Sequence, residues 1–182
     1  AGGRGTRLKS VVSEVPKVLA PIGEKSFLDY QAKNWINQGA KHLIFSLNYE
    51  AKKIIDHIEK KLVKKYKSIT FDYIVEENPL DTGGAINLVI KELGLKGKFL
   101  ATNADTWLSD GMENLWNETP PCLGVIKVKD ISRYGEVFLC KKKVISFKEK
   151  NNLQKSGYIN AGVFLFNSKD SHNYSSKKIF SL

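Results

Sequence analysis

The chain has 182 residues, of which 42% are hydrophobic and 26% charged, and its formal net charge is +10. This length and composition are typical of one globular domain with a sizeable core, and they exclude a fibrous, disordered or disulfide-rich protein. No apolar run approaches the roughly 18 residues that a membrane span needs, and no secretory pattern opens the sequence, so we expect a cytoplasmic protein without a membrane partner.

The positive charge raises the hypothesis of a nucleic-acid-binding domain, because clustered lysines are typical of phosphate-backbone binding. The lysines are instead spread over helix-face positions and alternate with acidic residues, as in the run from Glu50 to Lys65. A solvated helix face explains this pattern more simply. We therefore expect no nucleic-acid partner.

The first hundred residues predict alternating helices and strands. Ser26 is a helix N-cap with Asp29 three residues later, and Gly39 is placed to end that helix. Apolar runs predict strands over 42–47, 69–75 and 99–102, and apolar residues at helical spacing predict further helices over 51–62 and from Thr82 to Gly94. This alternation indicates βαβ units and a largely parallel sheet with helices on both faces.

Beyond residue 120 the pattern changes to strands without helices between them. The candidates cover 123–128, 136–140, 144–147 and 158–166, and Lys141 to Lys143 is a predicted hairpin tip. This half should add antiparallel or mixed strands. Cys122 and Cys140 stand in these apolar segments, so we expect buried free thiols rather than a disulfide or a metal site.

The opening segment, from Ala1 to Leu8, has three glycines in four positions. Glycines leave backbone N–H groups unobstructed, so the main chain can fold closely round phosphate oxygens. A hydroxyl and two cations add to this polyphosphate loop, whose phosphate-binding residues we predict to be Gly2, Gly3, Gly5, Thr6, Arg7 and Lys17.

Two other glycine motifs do not fit this segment. The dinucleotide fingerprint needs a third glycine where Leu8 stands, and the P-loop needs Gly-Lys followed by Ser or Thr, a triplet that the sequence lacks. A glycine-rich surface turn with two unrelated cations remains the alternative.

Later residues supply carboxylates and cations. Asp105 follows an apolar run, and a carboxylate at the carboxyl end of a strand, facing a phosphate loop, suits Mg²⁺; the alternative is an aspartate that caps a turn. Glu149 and Lys150 pair an acceptor with a cation that could hold a sugar 1-phosphate, or else form an exposed hairpin end. The three histidines have no cysteine or serine pattern beside them and are interpreted as structural or surface residues.

Five stretches, in order, resemble the signature motifs of the sugar-phosphate nucleotidyltransferases, also called nucleotide-sugar pyrophosphorylases, and look most like those acting on mannose or heptose 1-phosphate. They are 2–8 with 16–22, 79–85, 103–105, 147–150 and 159–163. The resemblance implies a Rossmann-like three-layer α/β/α nucleotide-diphospho-sugar transferase fold with a mixed, mostly parallel sheet. We expect one nucleotidyltransferase domain over residues 1–182 that lacks its first strand and a C-terminal portion.

The resemblance also implies roles for individual residues. It implies that Arg7, Lys17 and Asp105 are catalytic. Asp105 would bind the Mg²⁺ cofactor, with a second metal ligand expected beyond Leu182. Together with the glycine loop, the residues expected to bind the nucleotide are Glu77, Thr82, Gly83 and Gly84. The residues expected to bind the sugar phosphate are Gly135, Glu149, Lys150 and Asn160. The family more often has glycine where Asp81 and Ala104 stand, and alanine resists a positive φ.

The implied reaction transfers a nucleotidyl group from a nucleoside triphosphate to a sugar 1-phosphate and releases pyrophosphate. GTP and D-glycero-D-manno-heptose 1-phosphate or mannose 1-phosphate are the preferred substrates, as in polysaccharide biosynthesis. The alternative is a catalytically silent regulatory protein that binds nucleotide sugars. The sequence leaves open whether the chain forms a homo-oligomer.

Overall fold

The computed structural model describes residues 15–150, 152 and 154–169. The described strands are β1 (Pro21–Ile22), β2 (Lys25–Ser26), β3 (His42–Leu47), β4 (Thr70–Val75), β5 (Lys98–Thr102), β6 (Cys122–Val128), β7 (Glu136–Cys140), β8 (Lys143–Lys148) and β9 (Gly157–Asn167). The described α-helices are α1 (Phe27–Asn37), α2 (Ala51–His57), α3 (Asp81–Leu93) and α4 (Met112–Trp116). A 3₁₀ turn, Lys17–Leu19, precedes β1, and a π-helical segment, Ile58–Val63, extends α2.

Helix α1 begins at the predicted cap. The Ser26 hydroxyl accepts the Asp29 N–H at 3.2 Å, and the Asp29 carboxylate accepts the Ser26 N–H at 2.8 Å, which together form a capping box. His57, at the end of α2, adds its Nε2 atom 2.9 Å from Asp29 Oδ1. The His57 and Asp29 side chains are each only 11% exposed. His57 is therefore a structural residue that ties α2 to the start of α1.

The apolar stripe of α1 packs on β3 and α2. Leu28, Ala32 and Ile54 are fully buried, and the rings of Trp35 and Phe45 lie 6.4 Å apart between the helix and the strand. This cluster also includes Val18 of the 3₁₀ turn. Because Lys17 directly precedes a buried residue, the position of its backbone depends on the same core.

The strands confirm the α/β class and the mixed pairing. Strands β3 and β4 pair in parallel, and the connection between them runs through α2, as the alternation predicted. The other five pairs among the described strands are antiparallel, so parallel pairing is confined to β3 and β4 there. The short helix α4 is the only helix described between β5 and β9. Strands β7 and β8 are joined by a tight turn, which allows only antiparallel pairing.

Strand β9 organises the larger sheet and produces a fork in it. One edge of β9 pairs with β6, from Gly157 to Leu165. The opposite edge pairs first with β7, at 158–159, and then with β5, at 163–167. Between these partners, residues 160–162 face the opening where β7 and β5 diverge.

Some local expectations need correction. The second helix changes from α to π geometry after His57, and the predictions contained neither the β1–β2 hairpin nor α4. The hairpin tip lies as predicted at Lys141, with Lys143 already in β8. Both cysteines are free, but Cys140 is exposed and Cys122 only partly buried, because each stands at the end of a strand rather than within the core. Of the helices described, none is long and apolar enough to cross a bilayer.

The Asp29–His57 contact predicts an acid-sensitive contribution to stability. Burial raises the pKa of Asp29, but hydrogen bonds from Ser26 and His57 outweigh this and leave that pKa below 3.8. The stabilisation is therefore complete above the unfolded-state pKa and is lost as the pH falls from there through the lowered folded value. We expect Asp29→Asn to lower the free energy of unfolding by about 1–2 kcal/mol at pH 7, and by progressively less below about pH 4, in urea titrations.

Asp72 provides the matched control, because it also faces a histidine, with 2.7 Å between His42 Nε2 and Asp72 Oδ2, but on the surface. Asp72→Asn should change the free energy of unfolding by less than about 0.5 kcal/mol. An equal loss in both variants would contradict the role given to the buried contact.

Candidate active site

An ion pair lies at the carboxyl end of β5. Lys17 Nζ stands 2.6 Å from Asp105 Oδ2, and the two side chains are 40% and 44% exposed. Lys17 follows the predicted phosphate loop in the sequence, so the carboxylate of Asp105 faces the segment that continues from that loop. The loop residues Gly2, Gly3, Gly5, Thr6 and Arg7 lie outside the described residues.

The turn that carries Asp105 is held against β9. Asn103 donates its backbone N–H to the carbonyl oxygen of Gly162 at 3.0 Å, and Thr106 closes the turn by donating to the Asn103 carbonyl at 3.2 Å. Gly162 has a φ of +69°, and a Cβ there would stand 3.0 Å from side-chain atoms of Asn103 and Thr106. Glycine is therefore required where the strand meets the turn. Ala104 is not among the residues with positive φ, so alanine is compatible with this turn.

A cavity of about 1490 Å³ extends from this ion pair towards α3 and the carboxyl end of β3. The polar residues on its wall include Lys17, Asn48, Glu76, Asp81, Thr82 and Asp105. Thr82 is thus brought into one cavity with Lys17 and Asp105. Glu77 is exposed and is not among the lining residues, whereas its neighbour Glu76 is.

Glu76 is a residue that the sequence analysis missed. It is 7% exposed, and its carboxylate accepts hydrogen bonds from the Ser46 hydroxyl at 2.7 Å and from the Leu80 N–H at 3.1 Å. These contacts attach the turn before α3 to β3. The only sequence signal was a carboxylate directly after an apolar strand, and the adjacent Glu77 shows the same signal.

Helix α3 begins at Asp81, with Leu80 as its N-cap and no side-chain cap. Gly83 and Gly84 are buried in its first turn, and the N–H groups of a first helical turn are open to a ligand. Asp81 has a φ of +57°, the left-handed conformation that favours glycine. The left-handed backbone at Asp81 explains why the related proteins more often have glycine at this position.

The predicted sugar-side residues form a second group at one end of three adjacent strands. Glu136 of β7 pairs with Lys148 of β8 and with Ile159 of β9. Gly135, Glu149 and Asn160 each lie one residue from a member of this triple, and Lys150 follows Glu149 on the surface. None of these four residues lines the cavity near Lys17.

Gly162 connects the two groups across the fork in the sheet. Its N–H donates to Asn160 Oδ1 at 2.7 Å, while its carbonyl accepts from Asn103. Asn160 and Gly162 are two residues apart on β9, roughly 7 Å along the strand. The crevice between β5 and β7 thus has the Asp105 turn on one side and the Gly135–Asn160 group on the other. The carboxyl end of β5 opens into this gap, and in open α/β sheets ligands bind at the carboxyl ends of strands.

The described part of the chain contains no group of three or more His, Cys, Asp or Glu side chains that could hold a metal ion. Asp105 therefore supplies a single carboxylate. Magnesium sites in phosphate chemistry often use one or two carboxylates and complete the coordination with phosphate oxygens and water.

Comparison with known proteins agrees with this geometry. The model of the family described as "Nucleotidyl transferase" matches residues 1–179. The chain is 36% identical over 174 residues to the D-glycero-alpha-D-manno-heptose 1-phosphate guanylyltransferase of Campylobacter jejuni, an alignment that covers 94% of this chain and 75% of the relative. It is 34% identical over 171 residues to the enzyme of the same name from Aneurinibacillus thermoaerophilus, covering 91% and 72%.

Solved structures show the same fold. HddC from Yersinia pseudotuberculosis in complex with GMP-PN superposes with a TM-score of 0.85 at 34% identity, over all of this chain and 80% of that one. The inositol-1-phosphate CTP transferase of T. maritima, at 17% identity and a TM-score of 0.79, shares the fold. The family match over almost the whole chain, the two relatives above 30% identity and the HddC superposition lead to one conclusion: the chain belongs to the nucleotidyl transferase family and is a nucleotidyltransferase.

Proposed function

We propose that this nucleotidyltransferase transfers the guanylyl group of GTP to D-glycero-D-manno-heptose 1-phosphate and releases pyrophosphate, with mannose 1-phosphate as the second acceptor to consider. The relatives from Campylobacter and Aneurinibacillus carry the name of this activity, and the HddC structure contains GMP-PN. We further propose that residues 1–182 act as one nucleotidyltransferase domain, which the family match over 1–179 supports.

The observation that carries this proposal is the Lys17–Asp105 pair at the fork of the sheet. It combines a cation that can neutralise phosphate oxygens with a carboxylate that can hold a metal ion. The proposed sugar-side residues are connected to the same turn through Gly162. A donor phosphate on one side and an acceptor phosphate on the other could therefore approach each other in this crevice.

The proposed reaction requires little acid–base catalysis. The attacking oxygen of a sugar phosphate is already ionised at neutral pH, so no general base is needed. Attack on the α-phosphorus breaks its bond to the leaving pyrophosphate, and catalysis consists mostly of positioning and charge neutralisation. In this proposal Lys17 bridges phosphate oxygens, and Arg7 stabilises the leaving pyrophosphate.

The family is generally metal-dependent, and we propose Mg²⁺ on Asp105. The fit to this chain rests on the contact already present: the Lys17 ammonium stands 2.6 Å from Asp105 Oδ2, so the carboxylate accepts a cation at this place. When bound, Mg²⁺ supplies neutralisation of charge on the triphosphate. Asp105 would hold it, and Lys17 would contact phosphate oxygens.

The remaining residues divide between the two substrates. For the nucleotide we propose contacts from Gly2, Gly3, Gly5, Thr6, Glu77, Thr82, Gly83 and Gly84, supported by the open N–H groups at the start of α3. For the acceptor we propose that Glu149 and Asn160 bind sugar hydroxyls, that Lys150 binds the sugar phosphate, and that Gly135 lets the backbone approach the ring. Asn160 uses its Oδ1 on Gly162, which leaves its NH₂ group to face the sugar.

A substrate panel tests the proposed reaction. The purified protein with Mg²⁺ should release pyrophosphate fastest from GTP with D-glycero-D-manno-heptose 1-phosphate, measured by a coupled pyrophosphate assay. Reactions with ATP, CTP, UTP and dTTP should be at least about tenfold slower in kcat/KM, because the base contributes binding energy of more than about 1.4 kcal/mol.

Reactions without acceptor provide the background in this panel. Faster turnover with a pyrimidine triphosphate would contradict the proposed base. Tight nucleotide-sugar binding without turnover of any pair would instead support the silent regulatory protein.

Asp105→Asn tests the site itself. The substitution keeps the shape of the side chain but removes its charge, so the metal and Lys17 both lose their partner. We expect kcat to fall by about 10²–10³-fold, with a melting temperature within a few degrees of the wild type. Asp56→Asn is the matched control, since Asp56 pairs with Lys52 at 3.2 Å on the surface of α2 and should keep full activity. Retention of activity by Asp105→Asn would remove the proposed role.

A further inference from the structure

We infer that Gln31, a buried residue of α1, is a positioning residue that fixes the direction of the Asp105 carboxylate. The inference rests on the proposed function in one respect, the role of Asp105. Gln31 does not itself line the cavity near Lys17, and its effect on the reaction passes through the turn that carries Asp105.

The contact is made to the carbonyl oxygens of both residues that flank Asp105. Gln31 Nε2 lies 2.6 Å from the carbonyl oxygen of Thr106 and 3.5 Å from that of Ala104. Because both neighbours are acceptors, the NH₂ end of the amide must face them. The main chain on both sides of Asp105 is thereby attached to one side chain, which fixes the position of the Asp105 Cα atom and the direction of its Cα–Cβ bond relative to α1.

Gln31 is fully buried, at 0% exposure, so this hydrogen bond does not compete with water. Its Oε1 atom has no partner among the described residues. A buried amide with an unpaired oxygen is less favourable than an apolar side chain of the same length. The donated hydrogen bonds, rather than packing alone, are what this side chain contributes.

The turn is held by two different elements. Gly162 of β9 accepts the Asn103 N–H, and Gln31 of α1 donates to the carbonyl oxygens of Ala104 and Thr106. Strand β9 and helix α1 therefore both restrain the main chain around Asp105. Lys17, which meets the carboxylate, is itself anchored beside α1 through Val18 in the core. Gln31 thus places the aspartate relative to the segment that carries its lysine partner.

The same helix offers a matched control. Gln38 lies two turns further along and donates its Nε2 hydrogen to the carbonyl of Leu108 at 2.9 Å. It holds the same segment of chain, three residues beyond Asp105, with the same functional group. Both Gln31→Met and Gln38→Met remove a hydrogen bond from Nε2 to a main-chain carbonyl, but only Gln31 reaches the residues that flank the aspartate. Gln38→Met also removes the contacts of Gln38 with the Met112 N–H and with Asn34 Oδ1, each at 3.2 Å, so it is the more severe substitution of the two.

The test measures metal binding as well as turnover. We expect Gln31→Met to weaken binding of Mn²⁺, titrated by electron paramagnetic resonance in the presence of a non-hydrolysable GTP analogue, by about 10- to 100-fold. The kcat should fall by a similar factor while KM for both substrates and metal-free nucleotide affinity change little. Gln38→Met should keep Mn²⁺ affinity and kcat within about threefold of the wild type. In an Asp105→Asn background, Gln31→Met should cause no further loss of residual kcat.

Several results would overturn the inference. They are retention of metal affinity and kcat by folded Gln31 variants, a loss in Gln38→Met equal to that in Gln31→Met, and losses that multiply in the Asp105→Asn background. Gln31→Asn, which keeps the amide but withdraws it by one methylene, decides the matter if the methionine variant does not fold, and failure of both to fold would make Gln31 a requirement of the fold alone. Mn²⁺ binding is read without turnover, so a wrong acceptor sugar leaves this test intact.

Discussion

The hydrogen bonds of Gly162 join the two halves of the site, and much of the local geometry depends on them. Its carbonyl holds the turn that leads to Asp105, and its N–H orients Asn160. Only a residue without a Cβ can take φ +69° so close to Asn103 and Thr106. A single backbone position therefore determines the relation between the carboxylate and the proposed acceptor-binding residues.

The fork in the sheet explains why the site lies where it does. Strand β9 has β7 and then β5 on one edge, and residues 160–162 form the stretch of that edge between them. In the function proposed above, the two substrates enter this crevice from different sides and their phosphates meet at its base. The proposed nucleotide side includes the start of α3, and Glu76 attaches the preceding turn to β3.

The charged groups of this site lie at the surface, whereas the residues that position them are buried. Lys17 and Asp105 are both more than a third exposed, so their ion pair contributes little stability and remains available to ligands. Their backbones are held by buried residues, Val18 and Gln31, which are 4% and 0% exposed. The arrangement separates binding, which needs access, from positioning, which needs burial.

Much of this protein could be predicted from local patterns. The Ser26 cap, the strand at His42–Leu47 and the family motifs depend on neighbours in the chain, and the structure and comparisons confirm them. The roles of Glu76 and Gln31 could not be predicted, because each depends on partners distant in sequence. The sequence does not distinguish Glu76 from Glu77, because only the fold buries one of them. It likewise does not distinguish Gln31 from any other polar residue on a helix.

The sequence by itself determined the α/β class, the family and the residue types available for phosphate chemistry, since these follow from periodicity and short motifs. Only the tertiary structure decided that the parallel pairing described here is confined to β3 and β4, that β9 creates the fork, and that Lys17 reaches Asp105 across 88 positions of the chain. Contacts of that separation arise from strand register and core packing, which no local pattern specifies.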